Sequence, residues 1–187
     1  MLAGCTGGGD TPSSPAAQPS QPSVSATPTA TPTPTPAPVV SRPPVPEAPE
    51  PPAEMKGTDA LAAIETAEYF VEALNHALAS GETTTIESLA ADECGPCTML
   101  ITDIDNLYET GAWQEGGQIS VKDATVPDDY AELQQLPVQF YAEQSESASV
   151  TADGERRAGA AGRKYVLQVV VEQQQERWMV VDLRDAK

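Results

Sequence analysis

Histidine occurs once in these 187 residues, at His76, and cysteine three times, at Cys5, Cys94 and Cys97. A zinc site needs about four closely spaced nitrogen or sulfur ligands, so no metal centre is expected, and His76, following Asn75 in a helical pattern, reads as an ordinary helix residue. Basic side chains are also scarce: ten Lys and Arg oppose 28 Asp and Glu, for a formal charge of −18. Because nucleic-acid binding rests on neutralising phosphates, that partner class is excluded. A surface of this sign suits solubility, basic proteins or metal cations. No stretch reaches the roughly 18 consecutive apolar residues of a membrane span. A phosphate loop, a Gly-x-Ser-x-Gly elbow and a paired Ser and His are all missing, so no ordinary hydrolase signature is present and no cofactor is implied.

What the chain does have begins at its first residues. Leu2-Ala3-Gly4-Cys5 resembles a bacterial lipobox, in which small side chains precede the cysteine because the processing peptidase admits nothing larger. Cys5 is therefore the expected lipidation site, and residues 1–5 read as the remnant of a lipoprotein signal. A secretory signal needs a charged start and an apolar run of roughly 7 to 15 residues. Only Met1 to Ala3 fit such a run, so a longer precursor is expected. Residues 6–54 are almost entirely Pro, Thr, Ser, Ala, Gln and Gly, with the alternation Thr31-Pro32-Thr33-Pro34-Thr35-Pro36. Proline removes amide donors and fixes φ, and too few large apolar side chains are present to offset ordering entropy. This segment is expected to be a disordered stalk, reaching on the order of 150 Å in polyproline II geometry. Thr-Pro tracts of secreted actinobacterial proteins are often glycosylated, and a modified stalk and a plain spacer both stand as readings.

Composition changes near Met55, and residues 55–187 carry 24 Asp and Glu against 9 Lys and Arg. Leu61, Ile64, Val71, Leu74 and Leu78, broadened by Ala67, Phe70 and Ala77, predict an amphipathic helix capped by Thr58 or Asp59 and ended by Gly81. Thr84 with Glu87 predicts a capping box for a second, shorter helix through Ile86, Leu89 and Ala90. Leu100, Ile101, Ile104, Leu107 and Tyr108 predict a third, with Gly111 as its stop. The period then becomes two. Ile119 and Val121; Val138, Phe140 and Ala142; Tyr165, Leu167, Val169 and Val171; and Met179, Val181 and Leu183 predict four strands. Ser147 to Val150 extends the second, Asp153-Gly154 marks a turn, and Gln173 to Glu176 closes a final hairpin. The expected fold class is α+β, with three N-terminal helices packed on a curved antiparallel sheet of about four strands.

The helix order, the segment from Gly81 to Leu89 and the closing hairpin resemble cone-shaped, nuclear-transport-factor-two-like domains. The lipobox, the Pro/Thr stalk, Ala67-Glu68-Tyr69-Phe70, Cys94-Gly95-Pro96-Cys97 and Glu115-Gly116-Gly117 together resemble the actinobacterial lipoproteins that carry the domain of unknown function family 6318. That resemblance implies attachment to the extracytoplasmic face of the cell membrane through an N-terminal lipid. It carries no established activity. Cone-shaped domains often pair through the sheet face, which makes a homodimer one expected state.

Cys94-Gly95-Pro96-Cys97 matches the thioredoxin redox motif letter for letter, and a cysteine at a helix N-terminus has its thiolate stabilised. The motif here follows a short helix and the acidic pair Asp92-Glu93 rather than a strand and a Trp, and nearby carboxylates raise a thiol pKa. A structural disulfide between Cys94 and Cys97, in an oxidising compartment, is the favoured reading over redox catalysis or metal binding. Asp103 and Asp105 resemble the start of a calcium loop, but the Gly and later ligands are absent. Tyr69, Phe70, Trp113, Phe140, Tyr141, Tyr165 and Trp178, with the strand carboxylate Asp182, are candidate pocket residues at the open end of a cone, although aromatics of small domains are usually core. The expectation is a non-catalytic domain that binds a cell-envelope protein or a small ligand. Its rival is an enzyme, either a thiol-disulfide oxidoreductase through Cys94 and Cys97 or a cone-fold isomerase or hydrolase using a pocket carboxylate such as Asp182.

Overall fold

The computed structural model describes residues 41–186; the lipobox, Cys5 and the stalk as far as residue 40 lie outside the described residues. Three helices come first, α1 (Ala60–Ser80), α2 (Thr84–Leu89) and α3 (Gly95–Glu109). Asp59 caps α1 by accepting from the Ala62 amide at 2.9 Å, which satisfies one of the amides a first turn leaves free. Gly81 ends the helix in the left-handed region, φ 80°, with its amide on the Ala77 carbonyl. Ala63, Ala67, Ala73 and Ala77 are fully buried along α1, and their small side chains let the backbone lie close to its neighbours. Leu61, expected inside, is instead 54% exposed. Its neighbours four, seven and eleven residues on are Glu65, Glu68 and Glu72, so it belongs to the charged face.

The capping box expected between Thr84 and Glu87 does not form. Thr83 is the N-cap of α2 and makes no side-chain bond to the backbone; its hydroxyl instead lies 3.1 Å from Glu87 Oε1 and 3.0 Å from Asp105 Oδ1. It thus links α2 to α3. Cys94 is the N-cap of α3 and is disulfide-bonded to Cys97.

Seven strands follow, in place of the expected four: β1 (Trp113–Gly116), β2 (Ile119–Thr125), β3 (Gln135–Gln144), β4 (Ser147–Val150), β5 (Arg156–Ala158), β6 (Arg163–Gln174) and β7 (Arg177–Ala186). They form a three-stranded sheet, β1-β4-β5, and a four-stranded one, β2-β3-β6-β7, with every pairing antiparallel. The extra strands come from a corner. β1 gives way to β2 at Gly116 and Gly117, β3 to β4 at Ser145 and Glu146, and β5 to β6 between Gly159 and Gly162. Hydrogen bonds continue through the bend, Gly117 to the Glu146 carbonyl at 3.0 Å and Ser145 to the Gln118 carbonyl at 3.0 Å. Ser147 to Val150 does carry on from the second predicted strand, but on the far side of this corner it pairs in the other sheet. Glycines at φ 68° and 80° allow the turn, as other residues do only with strain.

The inner face of the larger sheet carries Leu136, Val138, Phe140 and Ala142 on β3, paired in register with Val171, Val169, Leu167 and Tyr165 on β6. Together with Phe70, Leu74 and Ile86 these make the main core. β7 departs from strict alternation. Val171 pairs with Val180 but Val170 pairs with Asp182, leaving Val181 as an extra residue. A bulge of one residue moves every later side chain to the other face. Val180 therefore joins the main core while Met179 and Val181 pack with Val170 and Ala91 in a separate small cluster, so the expected set of Met179, Val181 and Leu183 is split.

The closing hairpin has its expected place. Gln174 pairs with Arg177, and Gln175 and Glu176 between them have φ of 50° and 66°, the signs required by a two-residue type I′ turn. Neither residue favours that region. Replacing Gln175 with Asn and Glu176 with Gly is expected to add about 0.5–1 kcal/mol of stability, read as a higher midpoint in urea at unchanged slope; a lower midpoint counts against this reading of the turn.

Residues 41–52 have no regular structure and lead to a short 3-10 turn, Ala53–Lys56. Arg42 donates to the carbonyls of Ala79 at 2.7 Å and Ser80 at 2.6 Å, and its guanidinium lies 4.7 Å from the centre of the Tyr108 ring. The Tyr108 hydroxyl donates to the Leu78 carbonyl at 2.6 Å. Three free carbonyls at the negative end of α1 are satisfied in this way. Further along residues 41–52, which form a strap against α1, the Tyr69 hydroxyl donates to the Pro49 carbonyl at 3.1 Å.

Candidate functional site

A cleft of about 390 Å³ opens between α1, α3 and the inner face of β2, β3, β6 and β7. Each element brings its residues by its own period. α3 contributes Pro96, Met99, Leu100 and Asp103, spaced three, four and seven residues apart and so aligned on one face. α1 contributes Phe70 and Leu74 from the same side that builds the core. On β6 the inward parity of Val171, Val169, Leu167 and Tyr165 runs on to Arg163 at the strand's start, beside Gln144 of β3. The floor is apolar and the mouth is polar.

At that mouth Arg163 Nη1 lies 2.6 Å and Nη2 3.4 Å from the two Asp185 carboxylate oxygens. The guanidinium also sits 4.0 Å from the centre of the Tyr165 ring. The hydrogen bond to Asp185 holds the Arg163 pKa above its usual range, and the ion pair offsets the two charges. Burial pushes the Tyr165 phenol up, which keeps it a neutral hydroxyl. Arg184, also at the rim, is committed to Asp182 Oδ2 at 2.6 Å.

Of the candidate pocket residues singled out in the sequence, Phe70 and Tyr165 line the cleft, and the others are not among its lining residues. Tyr69 is buried against the strap through Pro49. Trp113 is buried at the start of β1, and neither its indole N–H nor that of Trp178 has an acceptor among the described residues. Tyr141 is 61% exposed on the outer face, in a separate depression of about 590 Å³ lined by residues of β2, β3 and β6. Lys164 and Glu143 pair across that depression at 3.3 Å. Asp182 faces outward, opposite Val170, and accepts from the Leu183 amide at 2.8 Å. His76 is buried, with Nδ1 3.3 Å from the Ser80 hydroxyl, and it is not among the residues lining the cleft. Both sulfur-bearing residues of the disulfide are buried, Cys94 at 0% and Cys97 at 1% exposure. An attacking thiolate has no path to them, whereas exchange chemistry needs access.

Arg163 and Met99, which sequence reading passed over, had a signal. Strand parity places Arg163 with Tyr165 and Leu167, and helical parity places Asp103 with Met99 and Pro96. What was not visible was that these two faces meet.

The sequence profile of a family of unknown function, DUF6318, matches residues 33–184. No curated protein matches the chain. Among solved structures, the intermembrane-space region of the chloroplast protein ARC6 is 13% identical, with a TM-score of 0.47 over 68% of this chain and 96% of that one. A protein of unknown function with a cystatin-like fold from Nostoc punctiforme is 13% identical, with a TM-score of 0.42 over 69% of this chain and 92% of that one. An NTF-2-like protein of unknown function from Shewanella oneidensis MR-1 is 11% identical, with a TM-score of 0.39 over 66% and 98%.

Proposed function

The chain belongs to DUF6318, a family of unknown function, so its own cleft is the starting point, and we propose that it is a lipid-anchored extracytoplasmic protein whose domain binds a small, largely apolar ligand without transforming it. One observation carries the binding half of this reading. The cleft between α1, α3 and the sheet has apolar walls and a volume of about 390 Å³, within the usual size of ligand sites. Arg163 and Asp185 neutralise one another, and His76 is not among the residues lining the cleft. A long helix lying against a cornered sheet is in keeping with the cone-shaped reading.

The location half rests on Leu2-Ala3-Gly4-Cys5 and the Pro/Thr-rich segment after it. The Cys94–Cys97 disulfide is in keeping with an oxidising compartment. With Cys5 modified, Cys94 and Cys97 are a matched pair.

The test is a titration of the full chain with Nile red, a neutral apolar dye. Saturable fluorescence enhancement at one site per chain is expected, with affinity falling at least tenfold in Leu100→Trp, which fills the cleft from α3. The domain of that variant is checked by its melting curve. Absence of saturable binding, or binding unaltered in Leu100→Trp, would overturn the proposal.

A further inference from the structure

Resting on the cleft reading, we propose that the ligand is an organic cation: an apolar body seated against α3 and a protonated or quaternary amine directed at Asp103. Four charged residues line the cleft, Asp103, Arg163, Arg184 and Asp185. Three of them are spent. Arg163 holds Asp185 through two contacts, and Arg184 holds Asp182. For Asp103 there is no ion pair among the described residues. With Arg184 turned to Asp182 outside the cleft, Asp103 is the one charged residue of the lining without an ion-pair partner among the described residues.

Its position gives the ligand a shape. Pro96, Met99, Leu100 and Asp103 form one stripe along α3, running from apolar to anionic over a rise of about 10 Å. Met99, on the cleft lining, is 65% exposed, an apolar side chain left in water where a ligand would cover it. An alkyl or aryl body lying on Pro96, Met99 and Leu100 brings a terminal amine to the carboxylate one turn on. An anionic head would meet Asp103 with no free guanidinium to offset it. The formal charge of −18 acts in the same direction, concentrating cations near the surface and repelling anions.

Three ligands with the same ten-carbon chain separate the possibilities: decyltrimethylammonium, decanol and decanoate, each competed against Nile red below micelle-forming concentration at 0.15 M salt. The expected order is cation, alcohol, carboxylate, with the cation at least tenfold tighter than the carboxylate. Asp103→Asn, on an exposed helix position, is expected to bring the cation within about twofold of the alcohol while decanol affinity holds. Equal affinity for all three heads overturns the cation proposal and leaves the cleft reading standing. A cation preference undiminished in Asp103→Asn also overturns it, since the preference then belongs to the overall charge. If none of the three competes, both readings fail.

Discussion

Gly116→Ala is expected to lower stability by about 2–4 kcal/mol. Two effects combine at this position. The backbone holds φ at 68°, a region that residues with a Cβ enter only with strain, and an added Cβ would collide with the Glu146 carbonyl oxygen. That oxygen is itself the acceptor for Gly117 at 3.0 Å, so it cannot retreat without breaking the bond that carries pairing around the corner. Both strands on either side, β1 with β4 and β2 with β3, depend on the same bend. For a domain of this size the melting temperature should fall by about 5–15 °C. Gly95→Ala serves as the control. Nothing lies within 4 Å of a Cβ there, and a change under about 0.5 kcal/mol is expected. Equal melting curves for the two variants would mean that the corner does not rest on Gly116.

The corner also marks where sequence reading stops. Periodicity is a local signal, and it located the strand centres well: Val138, Phe140 and Ala142 do share a face, and Leu167, Val169 and Val171 lie opposite them. It could not tell that Ser147 to Val150 leaves the first sheet for a second, because a strand that bends keeps its alternation on both sides. The bulge at Val181 was hidden for a related reason. Met179, Val180 and Val181 are all apolar, so either phase looks buried, and only pairing with Val170 and Val171 decides which residue is extra. Capping at Asp59 and Gly81 was legible since each acts on its own helix end. Capping by Thr83 was not, because its hydroxyl answers to Asp105, 22 residues away. Arg42 is the only basic residue among the first 53, yet nothing in a Pro-rich neighbourhood says that it will close the end of α1.

The same distinction governs the site. Aromatic and acidic residues draw attention one at a time, and Tyr69, Trp113, Tyr141, Trp178 and Asp182 were chosen on type. A cleft is chosen by topology. Leu74, Met99 and Leu183 look like routine core or surface positions until α3 is set across the sheet from β7. Arg163 and Asp185 are 22 residues apart and become partners only because β6 and β7 pair in a particular register.

Asn75→Leu is expected to cost a further large share of stability, about 2–4 kcal/mol, since it strands two backbone groups at once. Asn75 Nδ2 donates to the Ile119 carbonyl and Asn75 Oδ1 accepts from the Ile119 amide, each at 2.8 Å. The amide side chain thereby acts as one rung of a strand on the edge of β2 that has no partner strand among the described residues, and it closes part of an edge that would otherwise offer free donors and acceptors. Leucine matches asparagine in size but offers neither group, so the loss should not be recovered by packing. Ile119 lines the cleft, which ties this interaction to function as well as to folding. Urea unfolding should show the lower midpoint. Native-state hydrogen exchange should show the Ile119 amide losing protection out of proportion to Val138 and Val169 in the sheet centre, and Nile red affinity should fall with it. A variant within about 0.5 kcal/mol of the parent, with Ile119 still protected, would mean that β3 alone holds the edge and that α1 fixes the cleft wall by packing rather than by this pair of hydrogen bonds.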